Sequence, residues 1–257
     1  MPRAAEAWSR SIGDLWTDIL HRIELSPAAI VAEIGPGFAA KIAFGLARLR
    51  FRGTVILIEP GDSARQRARA QYQKLLPAAR IRTVSDAIPE ARSLRGARVD
   101  VLVGNHVLDD LLLHAALTPV ASAQMFARMR PGEACASRFV RCWRDLSRDQ
   151  QRLGALVQRV ADDFHAYVTA VRPRLVLLNQ YPSWQHHSHN LDSIHRHSLG
   201  VMRALLERLD GDDALGMDTE LLQDRSVVWL ISRSRSRDQP SADSSRSMIP
   251  ATSSVAE

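Results

Sequence analysis

"VAEIGPGFAAKI", residues 31–42, places an acid and two glycines where an apolar run ends and a helical pattern begins. The run that leads into it, "AIVAEI" (29–34), reads as a buried strand, and Phe38 to Leu49 reads as a helix. Glycines suit a backbone that bends tightly and approaches a ligand with no Cβ in the way. A helix starting there aims its unpaired N–H groups at whatever occupies the turn.

The alternation continues outward. "TVILIE" (54–59) is a second strand, and Asp62 to Leu76 an arginine-rich helix with Asp62 or Ser63 as N-cap. "RIRTVSD" (80–86) is a shorter third strand and "VDVLVGN" (99–105) a fourth, followed by an apolar helical segment from Val107. This spacing implies a parallel sheet covered on both faces. After "RMRPGEA" no good strand follows. "CASRFVRCW" (135–143) is too polar for a central strand, and Asp145 to Val171 reads as one long helix. The fifth parallel strand is therefore placed at "RLVLLNQY" (174–181). Residues 190–209 hold apolar positions at helical spacing, and "RSVVWLISR" (225–233) is the final strand.

Near the start, Trp8, Ile12, Leu15, Trp16, Ile19 and Ile23 fall on one face of a helix that Pro27 ends. That helix either packs on the sheet or forms a lid whose tryptophans touch substrate. The expected organisation is an N-terminal helix or lid (1–26) and an α/β, Rossmann-like domain (27–233). Its sheet is mostly parallel with helices on both faces, and residues 117–172 form a helical insertion or cap. A Ser/Asp/Pro-rich tail from 234 to 257 lacks any helix or strand period and is expected to be disordered.

The net charge of +6 invites a nucleic-acid reading. Against it, the basic residues are nearly all arginine, with Lys41 and Lys74 the only lysines, and they are spread along the chain. Aromatics make up 5% of residues and no run interleaves them with arginine, so no base-stacking platform is present. No apolar run is long enough for a membrane span, and no secretory signal opens the sequence. Cys135 and Cys142 form no disulfide framework. A cytoplasmic protein without membrane or nucleic-acid partners is expected, its oligomeric state open.

A GxG turn after a strand serves NAD, FAD and S-adenosylmethionine sites alike. Here the third glycine of GxGxxG is replaced by Ala40, and Pro36 between the glycines is uncommon in a nicotinamide fingerprint. Glu33 stands two residues before Gly35, where an acid can accept from an amine or from the turn. Glu59 ends the second strand, where a carboxylate can take both ribose hydroxyls of an adenosine.

Together these residues resemble the class I S-adenosylmethionine-dependent methyltransferases. The family's E/D-x-G-x-G motif matches Glu33, Gly35 and Gly37, its acid after the second strand matches Glu59, and its acid near the adenine amine matches Asp86. "DVLVGNHVLDDLL" resembles its fourth strand and active-site mouth, with Asn105 at the strand end. The resemblance covers residues 29–130 and implies S-adenosyl-L-methionine held by Glu33, Gly35, Pro36, Gly37, Glu59, Asp86 and Asn105.

Methyl transfer from a sulfonium rests on in-line positioning and electrostatic stabilisation more than on covalent help. Asn105, Asp109 and Tyr181 are the candidate catalytic residues: Asn105 for the methionine part or an acceptor amine, Asp109 for a substrate ammonium, and Tyr181 as a hydroxyl or π-face near the sulfonium. Asp110 also suits a helix's first turn. "NQYPSWQHHSHN" (179–190) carries His186, His187 and His189, but no nearby cysteine or carboxylate completes a familiar ligand spacing, and no metal is assigned. The expected function is methylation of a small molecule in specialised metabolism. The alternative keeps the cofactor but uses its aminocarboxypropyl arm, as nicotianamine-type synthases do, or cyclises it to azetidine-2-carboxylate with release of methylthioadenosine. A non-enzymatic binding protein and a nicotinamide dehydrogenase are the remaining readings.

Overall fold

The computed structural model describes residues 2–37, 39–88, 93–127, 136–224 and 226–235. The expected disordered tail lies almost wholly outside the described residues, as does "RMRPGEA". Helix α1 (Pro2–Arg22) precedes an alternation of β1 (Ile30–Ile34), α2 (Lys41–Arg48), β2 (Thr54–Ile58), α3 (Asp62–Leu75), β3 (Arg80–Val84) and β4 (Val101–Asn105). Four helices follow: α4 (Leu108–Ala116), α5 (Pro119–Ala127), α6 (Ala136–Arg148) and α7 (Gln150–Val171). The chain then returns through β5 (Leu175–Gln180), α8 (Trp184–Ser188), α9 (Ser193–Asp210), β6 (Met217–Asp224) and β7 (Val227–Ser234).

The strands form one sheet in the order β3-β2-β1-β4-β5-β7-β6, parallel from β3 through β5 and antiparallel at β7 and β6. This is the expected Rossmann-like α/β architecture. Successive strand residues face opposite sides, and the two cores follow that alternation. Val31, Val55, Leu57, Val101, Val103 and Leu177 pack beneath α1, α2 and α3. Ala32, Ile34, Ile56, Ile58, Leu102 and Leu178 pack against α4, α6, α7 and α9. Near-continuous apolar strands are what a sheet buried on both faces requires.

Several local expectations need correction. Helix α3 has Gly61 at its N-cap with no side-chain cap, and Asp62 lies inside the first turn, paired with Arg65. The long helix foreseen from Asp145 to Val171 is two helices. Asp149 leaves the helical conformation and caps α7, its carboxylate accepting from Arg152 N at 2.9 Å, a role short acids favour over helix interiors. "CASRFVRCW" ends in α6, where Val140, Trp143 and Leu146 supply the buried face. Strand β6 went unforeseen because "MDTELLQD" is a mostly exposed edge strand with little apolar signal. It pairs with β7, whose Trp229, Leu230 and Ile231 are buried. Helix α1 stops at Arg22, before Pro27. Among the described residues no helix is long and apolar enough to cross a membrane.

Candidate active site

The carboxyl ends of parallel strands leave backbone groups and loops free for a ligand at the point where strand order reverses. Here that reversal lies between β1 and β4. Just past β1, Gly35 and Gly37 adopt φ of +60° and +58°, the left-handed region that glycine enters at no steric cost. A Cβ on Gly35 would stand 2.7 Å from Val107 Cγ2. The turn is tied to β2 by Gly35 N donating to Ile58 O at 2.9 Å.

Glu59, just past β2, holds the same turn from the other side. Its Oε2 accepts from Gly37 N at 3.2 Å and its Oε1 from Gly61 N at 2.9 Å. Burial raises its pKa, opposed by those two N–H groups and by Arg65. A carboxylate oxygen has two lone pairs, so each retains an acceptor site after binding the backbone. The structure thus brings Gly35, Pro36, Gly37 and Glu59 together at one edge.

Glu33 is set apart from that edge. It shares the strand face of Val31, is 2% exposed, and accepts a hydrogen bond from Tyr72 Oη of α3. Burial pushes its pKa up to about 8, against the lowering effects of Tyr72 and Lys41. Asp86 follows β3 and accepts from Ser93 N at 2.7 Å, closing its own loop.

At the end of β4, Asn105 joins a chain of polar contacts. Its Oδ1 accepts from Trp16 Nε1 at 2.9 Å, and its Nδ2 donates to Tyr181 Oη at 3.1 Å. Lys41 Nζ donates to the same phenol oxygen at 2.9 Å. Both lone pairs of Tyr181 Oη are then taken, which leaves its own O–H as its remaining hydrogen-bonding group. Trp8, 47% exposed, lies edge-on to the Tyr181 ring with centroids 5.7 Å apart. Of the two tryptophans, Trp8 is the exposed one, beside Tyr181, and Trp16 is fully buried. The variant Tyr181→Phe leaves two half-buried donors, Lys41 Nζ and Asn105 Nδ2, without their acceptor, so unfolding stability should fall by about 1 kcal/mol. A thermal or urea denaturation series checks this, and an unchanged midpoint overturns the network.

Next to Asn105, His106 is held at φ +53°, a region sparsely used by residues with a Cβ. Its backbone N–H donates to Asn179 O at 3.0 Å and its Nε2 meets Tyr181 O at 2.9 Å. Its Nδ1 lies 3.2 Å from Asp109 Oδ1. Burial lowers the His106 pKa, but the Asp109 carboxylate outweighs it and the net direction is up. Asp109, at the start of α4, is 4% exposed; burial opposes its charge, yet His106 and His186 bring its pKa to about 2. Burial and the neighbouring Asp109 push Asp110 well above the usual carboxylate range. With both ring nitrogens of His106 engaged inside the protein, that ring is not free to take a substrate proton. Asp109 likewise faces two imidazoles instead of open solvent.

Lys41 escaped notice in the sequence, although a lysine in so arginine-rich a chain, just past a glycine turn, was a usable signal. The partnership of Trp16 with Asn105, and of His186 with Asp109, spans too many residues for spacing to reveal. Of the three loop histidines, only His186 turns inward; His187 Nδ1 meets the exposed Asp192 at 3.1 Å.

No family model matches the chain, and no curated protein matches it. Solved structures do resemble it. An O-methyltransferase family protein from Burkholderia thailandensis is 14% identical over 92% of this chain, with a TM-score of 0.48. This chain spans 61% of that protein's length. The O-methyltransferase TomG from Streptomyces achromogenes, involved in tomaymycin synthesis and solved with SAM, is 15% identical over 87% of this chain and 79% of its own, with a TM-score of 0.48. Precorrin-6y C5,15-methyltransferase from Geobacter metallireducens is 12% identical over 87% of this chain and 88% of its own, with a TM-score of 0.43. At these identities the likeness is one of fold.

Proposed function

We propose that this protein is an S-adenosylmethionine-dependent transferase that methylates a small molecule. The observation that carries the reading is the placement of Glu59 across the Gly37 and Gly61 turns, at the same sheet edge as the Lys41–Tyr181–Asn105 contacts. A carboxylate with spare lone pairs suits the two ribose hydroxyls. A lysine ammonium, an asparagine amide and a phenol proton suit the carboxylate of the amino-acid arm. When bound, the cofactor supplies an electrophilic methyl group on a positively charged sulfur.

The chain's own residues supply position. Gly35 and Gly37 allow close backbone approach, Glu59 and the turn fix the adenosine end, and Tyr181, held by Lys41 and Asn105, fixes the other. Asp86 is assigned to the adenine side, since it lies just past the end of the third parallel strand. Glu33 is buried against Tyr72 and carries a proton at neutral pH, so direct contact with the cofactor amine is the part of the proposed set its surroundings favour least. Asp109 is reassigned from a substrate ammonium to the two imidazoles it faces. Trp8 beside Tyr181 gives the acceptor side an aromatic wall, which suits a small acceptor.

Incubating the full chain with S-adenosylmethionine alone, followed by mass spectrometry, tests the reading. The expected result is bound, intact cofactor, with methyl transfer appearing once a metabolite extract supplies an acceptor. Accumulation of methylthioadenosine without an acceptor overturns methyl transfer in favour of aminocarboxypropyl chemistry. Absence of cofactor binding in calorimetry overturns both.

A further inference from the structure

His106, Asp109 and His186 come from three separate elements: the corner after β4, the first turn of α4, and α8. One donor atom from each lies within 4.8 Å of the other two. His106 Nδ1 is 3.2 Å from Asp109 Oδ1, and His186 Nε2 is 3.5 Å from Asp109 Oδ2. Ligand atoms about 2.0–2.1 Å from a tetrahedral ion stand roughly 3.3–3.5 Å apart, so the two histidine–carboxylate separations already match, and the ligand atoms, all within 4.8 Å of one another, need to draw together about one ion. We propose that these three residues bind one divalent first-row transition-metal ion of the zinc type.

A plain ion pair explains less of the arrangement. It accounts for His106 against one carboxylate oxygen, but not for a second imidazole buried against the other oxygen. Asp109 Oδ1 has only its 3.2 Å ion-pair contact with His106 Nδ1, and the buried Nδ1 of His186 makes no hydrogen bond. That is costly for groups whose only purpose is a paired charge. The tautomer is also set for metal binding. His106 Nε2 lies 2.9 Å from the Tyr181 carbonyl, so in the neutral ring, the form a metal binds, Nε2 carries the proton and Nδ1 turns its lone pair toward the cluster. A ligating histidine characteristically donates its other ring N–H to a carbonyl or carboxylate in this way.

The donor set selects the ion. Two imidazoles and one carboxylate fit zinc, cobalt or iron and poorly suit calcium or magnesium, which take oxygen ligands. Phe139 stacks on the His186 ring, with centroids 6.0 Å apart and planes 15° apart, giving the cluster an apolar wall. Three protein ligands leave one position of a tetrahedral shell for water or an acceptor oxygen. Because Tyr181 touches both groups, through its hydroxyl to Lys41 and its carbonyl to His106, the ion would stand beside the proposed acceptor site. Binding of the ion itself does not rest on the cofactor reading.

The test titrates full-length, chelator-treated protein with zinc chloride alone in a calorimeter and measures retained metal by mass spectrometry. Wild type is expected to take up about one ion per chain. His186→Phe and Asp109→Asn should each weaken binding by roughly 100-fold or more, whereas His187→Ala, altered only in the exposed neighbour, should bind as wild type does. No saturable uptake, or uptake unchanged in both cluster variants, overturns the site, as does loss of binding in His187→Ala. Should the cluster variants fail to fold, cobalt(II) added to wild type decides. Intense visible bands of a low-coordinate ion support the site, and the weak spectrum of hydrated octahedral cobalt overturns it.

Discussion

Replacing Glu59 with alanine should weaken S-adenosylmethionine binding by about 100-fold or more. The carboxylate fixes Gly37 N and Gly61 N at once, at 3.2 and 2.9 Å. A hydrogen bond to a charged group contributes about 1.5–3 kcal/mol, and every 1.4 kcal/mol is roughly tenfold in affinity. Losing the carboxylate removes the proposed ribose contacts and also releases the glycine turn that shapes the site. Glu59→Gln keeps one acceptor oxygen, so it should fall between wild type and Glu59→Ala. Calorimetry on the three proteins checks the order. Binding by Glu59→Ala within threefold of wild type removes the adenosine end of the assignment.

The second large effect concerns pH and stability. Burial raises the Glu33 pKa from an ordinary 4.5 to about 8. In the unfolded chain the carboxyl loses its proton near its ordinary value, while in the folded chain it keeps it until near pH 8. The unfolded state therefore binds fewer protons between these values, and stability falls as pH rises through that window. The stabilisation associated with the protonated form is fully present below about 4.5 and gone above about 8, a difference on the order of 5 kcal/mol. Glu33→Gln keeps an acceptor for Tyr72 and has no proton to lose. It should match wild type near pH 4.5 and exceed it near pH 8.5 in urea denaturation. A gap between the two proteins that stays constant over that range contradicts the buried, protonated acid.

The sequence made the sheet legible because strands buried on both faces must be apolar throughout. It made the turn legible because Gly35 and Gly37 carry a backbone conformation few other residues accept. The hairpin of β6 and β7 left less trace, since an exposed edge strand such as β6 is polar on most positions. Asp149 was read as one more helical residue because its capping role depends on where α6 ends. In the site, Glu59 could be anticipated from its distance after the glycines. The position of Glu33 could not, because its partner Tyr72 lies on α3, 39 residues away. The same holds for His106, Asp109 and His186, two of which are close in sequence while the third arrives from beyond β5. Periodicity reports which face a residue takes, and these contacts depend on which faces meet.

Trp16 joins three segments that lie far apart in the sequence. From α1 it donates to Asn105 at the end of β4, and its ring meets Trp229 of β7 at 4.9 Å, nearly perpendicular. A nascent chain lacking β7 has the glycine turn, Glu59 and Asn105 already in hand, yet Trp16 still lacks the wall it seats against. The seat of Trp16 beside Asn105 is consequently complete only after Trp229 has been synthesised.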